Sequence, residues 1–509
     1  MNMPLVLLNR RRRGSVAFNP VSMFAAGEQG VWYEPSDLTT MFQDRAGTTP
    51  VTTPGQTVGL RLDKSKRLVL GSELITNGTF ADGTTTGWTS GSAASTATVV
   101  SGEMQVTAVS SSGRQVTSIS TEIGKTYIVT GIGRFISGSG GTVGAALYQT
   151  GSNGASITAG NINSTGSNAP LGLIFTATAT TSYVSALALG NTGAVAAFDN
   201  ISVKELAGNH AVAPTDAARP TYGIEPWSGR RNLLLATDTM ATQSLTVTAV
   251  AHTLAFTGTG TVTLTGASIA GPLIGTGASN RVSLTFTPTA ASLTLTVVGS
   301  VTLAQLELGS TATAYQRVGT AFDVTEAGVP TVHYVQYDGT DDSFSTSSIN
   351  FAATDKMSVF SGVRKLSDAA QGVLVELSAT IASNNGSFLL AAPDGATATF
   401  GFDSKGTTQV DAVASSLTAP ISRVVTGLAD ISGDRATIRI NGVQADQDTG
   451  DQGTGNFGNY PLFIGRRNNA SLPFNGRDYG IIVVGKAASA AEIAATESYL
   501  AARTSGVTL

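Results

Sequence analysis

Along most of this chain apolar residues alternate with threonine, serine and other polar residues, in short runs closed by Gly, Asn, Asp or Pro. A period of two marks half-buried strands, and the closing residues are those that turns require. From Glu73 the runs Glu103–Val106, Thr126–Val129, Gly144–Tyr148, Gly172–Thr176 and Tyr183–Leu189 predict one set of strands. ELITNGTFADGTTTGW (Glu73–Trp88) opens the set and AFDNISVKEL (Ala197–Leu206) closes it. Short strands separated by turn signals predict a β-sandwich. A second set repeats the first in shorter form: LTFTPTAASLTLTV (Leu284–Val297) aligns with LIFTATATTSYVSALAL (Leu173–Leu189), and VTLAQLELG (Val301–Gly309) stands where AFDNISVKEL stood. This is an internal duplication. Between Leu254 and Leu308 the copy carries only Phe256 and Phe286 as aromatics, so it reads as a spacer or trimer-forming collar.

The last set opens at YVQYDGTDDSF (Tyr334–Phe344), where Asp338-Gly339 supplies the positive φ of a tight turn. Strands are expected at Lys356–Lys365, Gly372–Ser378, Gly386–Ala392, Ala396–Asp403, Pro461–Arg467 and Pro473–Val484, with an Asn441-Gly442 hairpin inside Arg435–Gln444. Ala487–Arg503 is the one helical pattern, capped by Ser489. Ala207–Arg231, with Pro214, Pro220 and Pro226, reads as a linker, and Thr311–Gly328 as a connector. The stretch before about residue 70 has few, scattered large apolar residues and cannot bury a core alone. It reads as an anchor on a partner: Trp32, Tyr33 and Phe42 as plugs, Ser36 or Asp37 capping a helical turn, and Arg10, Arg11, Arg12 and Arg13 facing an acidic surface. The predicted division is 1–70, 71–206, 207–231, 232–318 and 319–509.

Composition sharpens this picture. The 509 residues exceed what one core holds, roughly 250–300 residues. Charged residues make up 13%, against about 25% in an ordinary soluble domain, which predicts subunit surfaces covered by other subunits. A net charge of −4, with no Lys or Arg interleaved among aromatics, gives no reason to expect nucleic acid. There is no Cys, which excludes disulfides and thiolate metal sites, and His210, His252 and His333 are too scattered for a His cluster. No run reaches the ~18 apolar residues of a membrane helix. Apolar Met3–Leu8 precedes Arg10–Arg13, the reverse of a secretory signal.

The first module's LITNGTF, GKTYIV (Gly124–Val129) and FDNISV (Phe198–Val203) resemble the jelly-roll carbohydrate-binding modules of the family-4/9/22 type. That resemblance implies a structural calcium near the first and last strands, with Asp199 as its candidate ligand. The acidic residue usual after NGxF is replaced by Ala81, so Asp199 is assigned to capping a turn. Trp88, Tyr127, Tyr148 and Tyr183 are the candidate sugar-stacking rings, with core packing expected for each. From Val332 to Val484 the order DGxDD, NG hairpin, IGRR and FNGxxxxIIVV resembles the concanavalin A/laminin-G-like lectin fold. With GVWYEPSDL, ARPTYGIEPW, TATAYQRV and AAEIAATESYLAAR, the chain resembles tailed-bacteriophage virion appendages, the fibres and spikes of tail or head.

The expected fold is therefore all-β: tandem jelly-roll sandwiches, then a concanavalin A-like sandwich with one short C-terminal helix. The resemblances imply a non-enzymatic, homotrimeric virion fibre, made in the host cytoplasm and released on lysis. Its N-terminus would bind other virion proteins and its sandwiches host-surface polysaccharide; the alternative is a purely structural decoration or baseplate protein. The expected glycan loop joins Tyr337 and Phe463 with Arg466, Arg467, Asn468 and Asn469: rings, bidentate donors and amides. Asp338, Asp341 and Asp342 offer the oxygens calcium wants, or serve only their own turn. A glycosidase needs two opposed carboxylates, and no ExDxxE-type cluster occurs; Glu376, alone in GVLVELS, is expected to face outward. Gly-rich Ser137–Gly141 lacks the following Lys-Ser/Thr of a phosphate loop, and the ladders of a β-helix are missing.

Overall fold

The computed structural model describes residues 18–152 and 156–509, so Arg10–Arg13 lie outside it. The fold is nearly all β, as expected, but its modules are nested. The lectin-like sandwich pairs a ten-stranded with a nine-stranded sheet, and many of their strands come from upstream. Met41–Phe42, Leu60–Arg61 and Ala211–Val212 join the nine-stranded sheet beside Phe344–Asn350. Thr221–Pro226, Gln316–Thr320 and Asp323–Glu326 join the ten-stranded sheet beside Thr331–Asp338. The expected linker and connector are thus sandwich strands.

Both jelly rolls are insertions. The first leaves after Leu60–Arg61 and returns at Ala211–Val212, and these strands pair with each other (Ala211 with Arg61). The second leaves after Thr221–Pro226 and returns to Asp323–Glu326, which pairs with it through Ile224 and Asp323. Each excursion starts and ends on neighbouring strands, so it closes without disturbing the host sheet. An apolar seam of Leu60, Leu62, Ile174 and Leu206 seats the first module. At the second, buried Asn232 donates to the carbonyls of Ala304 and Gln316, and Arg231 is ion-paired with Glu326.

The N-terminal stretch is no external anchor in its described part. Gly30–Tyr33 pairs with Ile481–Val484, the half of strand Asn475–Val484 that Thr331–Asp338 leaves free. Without it, a run of apolar residues would be an open sheet edge. Trp32 is 6% exposed and Tyr33 0%, plugs in their own chain's core rather than a partner's. A helical turn does form at Leu38–Thr40, but neither Asp37 nor Ser36 caps it through a side chain. Buried Arg61 forks onto Asp478 at 2.8 and 3.0 Å, between the rings of Tyr33 and Phe344. This pair ties the early strand to the last one, and removing one partner of such a pair costs about 3–5 kcal/mol.

The helix spans Ala490–Ala501 with a capping box between Ser489 and Glu492. Leu500 packs on Phe360, Ile482 and Val484 together with Trp32 and Phe24. No helix among the described residues is long and apolar enough to cross a membrane. Asn441 and Gly442 (φ 47° and 82°) turn the hairpin Arg435–Ile440/Val443–Asp448. Gly339 has the expected positive φ of 76°, yet its flanking strands lie in different sheets, so the turn is a crossover rather than a hairpin.

The duplication is visible in topology. In the first jelly roll Thr126–Ser137 pairs with Ala169–Thr176 and Val195–Glu205; in the second His252–Gly258 pairs with Gly277–Phe286 and Val301–Leu308. On the opposite sheets Thr181–Leu189 lies between Gly113–Ser120 and Gly144–Thr150, as Ser292–Val298 lies between Gln243–Thr246 and Thr261–Gly266. Phe80, Trp88, Tyr127, Phe175 and Phe198 fill the first core, while the second is mostly aliphatic around Phe256 and Phe286.

Candidate functional site

The expected glycan loop is only partly assembled. Tyr337 is 0% exposed and donates its hydroxyl to Asp478 Oδ2 at 2.9 Å; it is a core ring, not a stacking ring. Phe463 faces away from the core, between Ser345 and Glu376, but is covered to 6% exposure. Arg466, Arg467, Asn468 and Asn469 do form one loop, with Asn468 and Asn469 in the left-handed region (φ 49° and 54°). Some of its donors are engaged by the chain, while Arg466 Nε and Asn469 Oδ1 are buried without a partner. Arg467 Nε donates to Glu376 Oε2 at 2.8 Å, Arg466 to the Ala470 carbonyl at 2.8 Å, and Asn469 Nδ2 to Ser345 Oγ at 3.1 Å.

Beneath that loop runs a row the sequence reading missed. Ser345, Phe463, Glu376, Leu389, Asp403 and Asp411 stand opposite one another on successive strands of the nine-stranded sheet, all facing away from the core. Each carboxylate sits alone in its own strand, so no local motif betrays the row. Glu376 faces outward as expected but is fully buried, with Oε1 accepting from Ile381 N at 2.8 Å. Burial pushes its carboxyl up despite Arg467. Burial and the nearby carboxylates of Asp411 and Asp394 push Asp403 up to about 9, so it holds a proton at neutral pH. Both Glu376 oxygens thus accept hydrogen bonds from the chain.

Asp338, Asp341 and Asp342 bring carboxylate oxygens within 4.8 Å of one another. They also serve the turn: Asp338 Oδ1 accepts from Thr340 N at 2.7 Å and Asp342 Oδ2 from Asp338 N at 3.0 Å. Burial and then the Asp338 charge push Asp342 up to about 7. The donor set fits calcium, a hard cation that takes carboxylate oxygens and would relieve this crowding. Asp199 sits at a strand bulge, where its carboxylate accepts from Asn200 N and Nδ2.

A second aromatic face lies on the first jelly roll. Trp88 and Tyr127 are core residues, as expected. Tyr148 and Tyr183 are not: both are half-buried on the outer face of the five-stranded sheet Ser156–Asn163, Gly144–Thr150, Thr181–Leu189, Gly113–Ser120 and Thr89–Ser90. Register places Tyr183 between Thr150 and Ser118, Ser185 between Tyr148 and Val116, and Leu187 between Ala146 and Arg114. The rings therefore stand on adjacent strands and adjacent registers, flanked by a guanidinium. Beneath them Ser185 and Thr150 are 0% and 1% exposed, and their hydroxyls have no partner among the described residues. Arg114 Nε and Nη1 are likewise buried and unpartnered. Alternation of Tyr183, Ser185 and Leu187 against Val184 and Ala186 was the available signal, since the second set packs the core.

Residues 338–494 match the Laminin_G_3 family, described as the concanavalin A-like lectin/glucanases superfamily. This chain therefore carries a concanavalin A-like lectin/laminin-G-type domain in an all-β frame. Among solved structures it is similar to the CBM40 of the Ruminococcus gnavus IT-sialidase bound to α2,3-sialyllactose (17% identity, 28% of this chain, 83% of that one, TM-score 0.24). It is also similar to the CBM22-1 xylan-binding domain of Paenibacillus barcinonensis Xyn10C (16% identity, 27% and 97%, TM-score 0.23). A third similarity is to the botulinum neurotoxin serotype D binding domain (12% identity, 33% and 42%, TM-score 0.27). No curated protein matches the chain by sequence.

Proposed function

We propose that this chain is a non-enzymatic glycan-binding subunit of a tailed-phage particle, a homotrimeric fibre or spike that attaches to host-surface polysaccharide. The observation that carries glycan binding is the first jelly roll's outer face, where Tyr148 and Tyr183 stand half-exposed above the unpartnered hydroxyls of Ser185 and Thr150. Rings stack on the apolar faces of sugars, and two on adjacent strands offer a platform for neighbouring residues of a glycan. Three sites per trimer raise avidity without new contacts.

Virion origin rests on the resemblance of four phrases, and these converge in space. GVWYEPSDL supplies the edge strand Gly30–Tyr33, ARPTYGIEPW the strand Thr221–Pro226, TATAYQRV runs into Gln316–Thr320, and AAEIAATESYLAAR is the helix. Trp32 meets Tyr499 edge-on at 6.2 Å, and Trp227 Nε1 donates to the Ala501 carbonyl at 3.2 Å. The shared phrases are thus the frame of the lectin-like sandwich. Calcium at Asp338, Asp341 and Asp342 would brace the crossover between its sheets. The structural decoration reading has one observation in its favour: Ile269, Ile274 and Val298 on the second jelly roll are 87%, 59% and 68% exposed.

The test incubates the full chain with host cells and extracted host polysaccharide, following retention and reducing ends together. Retention without new reducing ends, lost in a Tyr148→Ala/Tyr183→Ala variant, is the expected result. New reducing ends overturn the non-enzymatic reading. No retention by a sedimenting oligomer leaves the decoration reading standing, and a sedimenting monomer removes the trimer.

A further inference from the structure

Resting on that reading, we infer that the glycan held on the first jelly roll carries a carboxylate sugar, a uronic or sialic-type acid, and that Arg114 receives its carboxylate. Arg114 stands on the same outer face as the two tyrosines, opposite Leu187 and one register from Ser185 and Tyr148. The stem is held in place by the loop above it: a Cβ added to Gly91 would lie 2.9 and 3.1 Å from Arg114 Cγ and Cδ and 2.7 Å from Val116 Cγ2. The guanidinium is therefore pre-positioned, which lowers the cost of ordering it on binding.

Its charge is unanswered. The side chain forms no hydrogen bond and no ion pair among the described residues, and Nε and Nη1 are buried without an acceptor. Arg61, Arg439, Arg467 and Arg477 are paired with Asp478, Glu497, Glu376 and Glu225, while Arg364 and Arg466 each have a buried, unpartnered Nε; Arg114 has two such nitrogens. The acidic groups of the first module are engaged elsewhere, Glu103 by Arg134 and both Glu122 and Glu205 by Lys125. A desolvated guanidinium with nothing to meet it is destabilising, and its place beside two half-buried rings points to a ligand that supplies the anion. Guanidinium and carboxylate are planar forks of matching geometry, and burial beside the rings strengthens their hydrogen bonds. Burial also lowers the Arg114 pKa, with the Tyr148 hydroxyl the one influence opposing it, as expected where no carboxylate lies near.

The experiment measures retention of the full chain on an array of neutral, carboxylated, sulfated and phosphorylated oligosaccharides, alongside the same uronates after carboxyl reduction. Wild-type protein is expected to prefer carboxylated glycans and to bind their reduced forms about tenfold to a hundredfold more weakly, the scale of a charge-assisted contact. Arg114→Gln should bind acid and reduced forms equally, and melt no lower than wild type because an unpaired charge has gone. Arg114→Lys should restore only part of the preference, having lost the fork. Equal wild-type binding of acid and reduced forms, a preference that survives Arg114→Gln, or retention confined to sulfated or phosphorylated glycans overturns the inference while the adhesin reading stands. Retention of no glycan at all removes both.

Discussion

The two jelly rolls share a strand plan and differ in what they do with one sheet face. Where the first carries Tyr183 and Tyr148, the corresponding outer positions of the second are Thr294, paired with Thr265 and Ser244, and Thr263, paired with Thr296. Thr263 and Thr296 are exposed, and no ionisable side chain joins these outer rows. The first face pairs rings with buried polar groups lacking partners, while Ser244 and Thr294 of the second bond each other at 2.7 Å. One copy keeps outward-facing groups without partners among the described residues; in the other, outward hydroxyls bond each other. The same alternation that forms a sandwich leaves its outer face free to vary, because core stability depends on the inward set alone.

The largest effect that probes this comparison is on stability. Phe198→Ala should cost about 3–5 kcal/mol and Leu306→Ala about 2–5 kcal/mol, each in its own core. In calorimetry each should lower only its own module's transition; one merged shift for both would show that the modules do not fold as separate cores. Next, Tyr148→Ala and Tyr183→Ala should each weaken glycan retention by about 2 kcal/mol, roughly thirtyfold. Thr263→Ala and Thr294→Ala should leave retention unchanged, and a loss there would erase the distinction between the copies.

The lectin-like sandwich supplies a third, pH-dependent handle. Asp403 is raised to about 9 in the folded chain, against about 3.9 when unfolded, so the folded state holds a proton that the unfolded state has lost. Its contribution is complete below about pH 4 and declines as pH rises toward about 9. Asp403→Asn should flatten that decline in the sandwich's transition and leave both jelly-roll transitions unmoved, as followed by melting at stepped pH. The smallest effect is expected for Thr294→Val on the spacer's outer face, within about 0.5 kcal/mol by denaturant titration.

Much was legible from local pattern. Alternation placed the jelly-roll strands, Asn441-Gly442 the hairpin, Ser489 the helix start, and matching runs the duplication. The candidate site was legible only in part: Arg466 to Asn469 form the expected loop, while Tyr337 went to the core and Tyr148 and Tyr183 to the surface. A period of two says that neighbouring side chains face opposite ways. It does not say which face another sheet will cover.

By itself, then, the sequence determined the elements, the duplication and the all-β class, because turn chemistry, capping and alternation act over a few residues. Only the tertiary structure decided that the lectin-like sandwich is assembled from both ends of the chain, with the jelly rolls inserted. Its upstream strands are short, Leu60–Arg61 and Ala211–Val212 having two residues each, too few to show a period. Their partners lie far away: Gly30–Tyr33 pairs with Ile481–Val484, and Arg61 meets Asp478. Pairing and burial of this kind depend on which distant surface needs covering, and no local pattern carries that information.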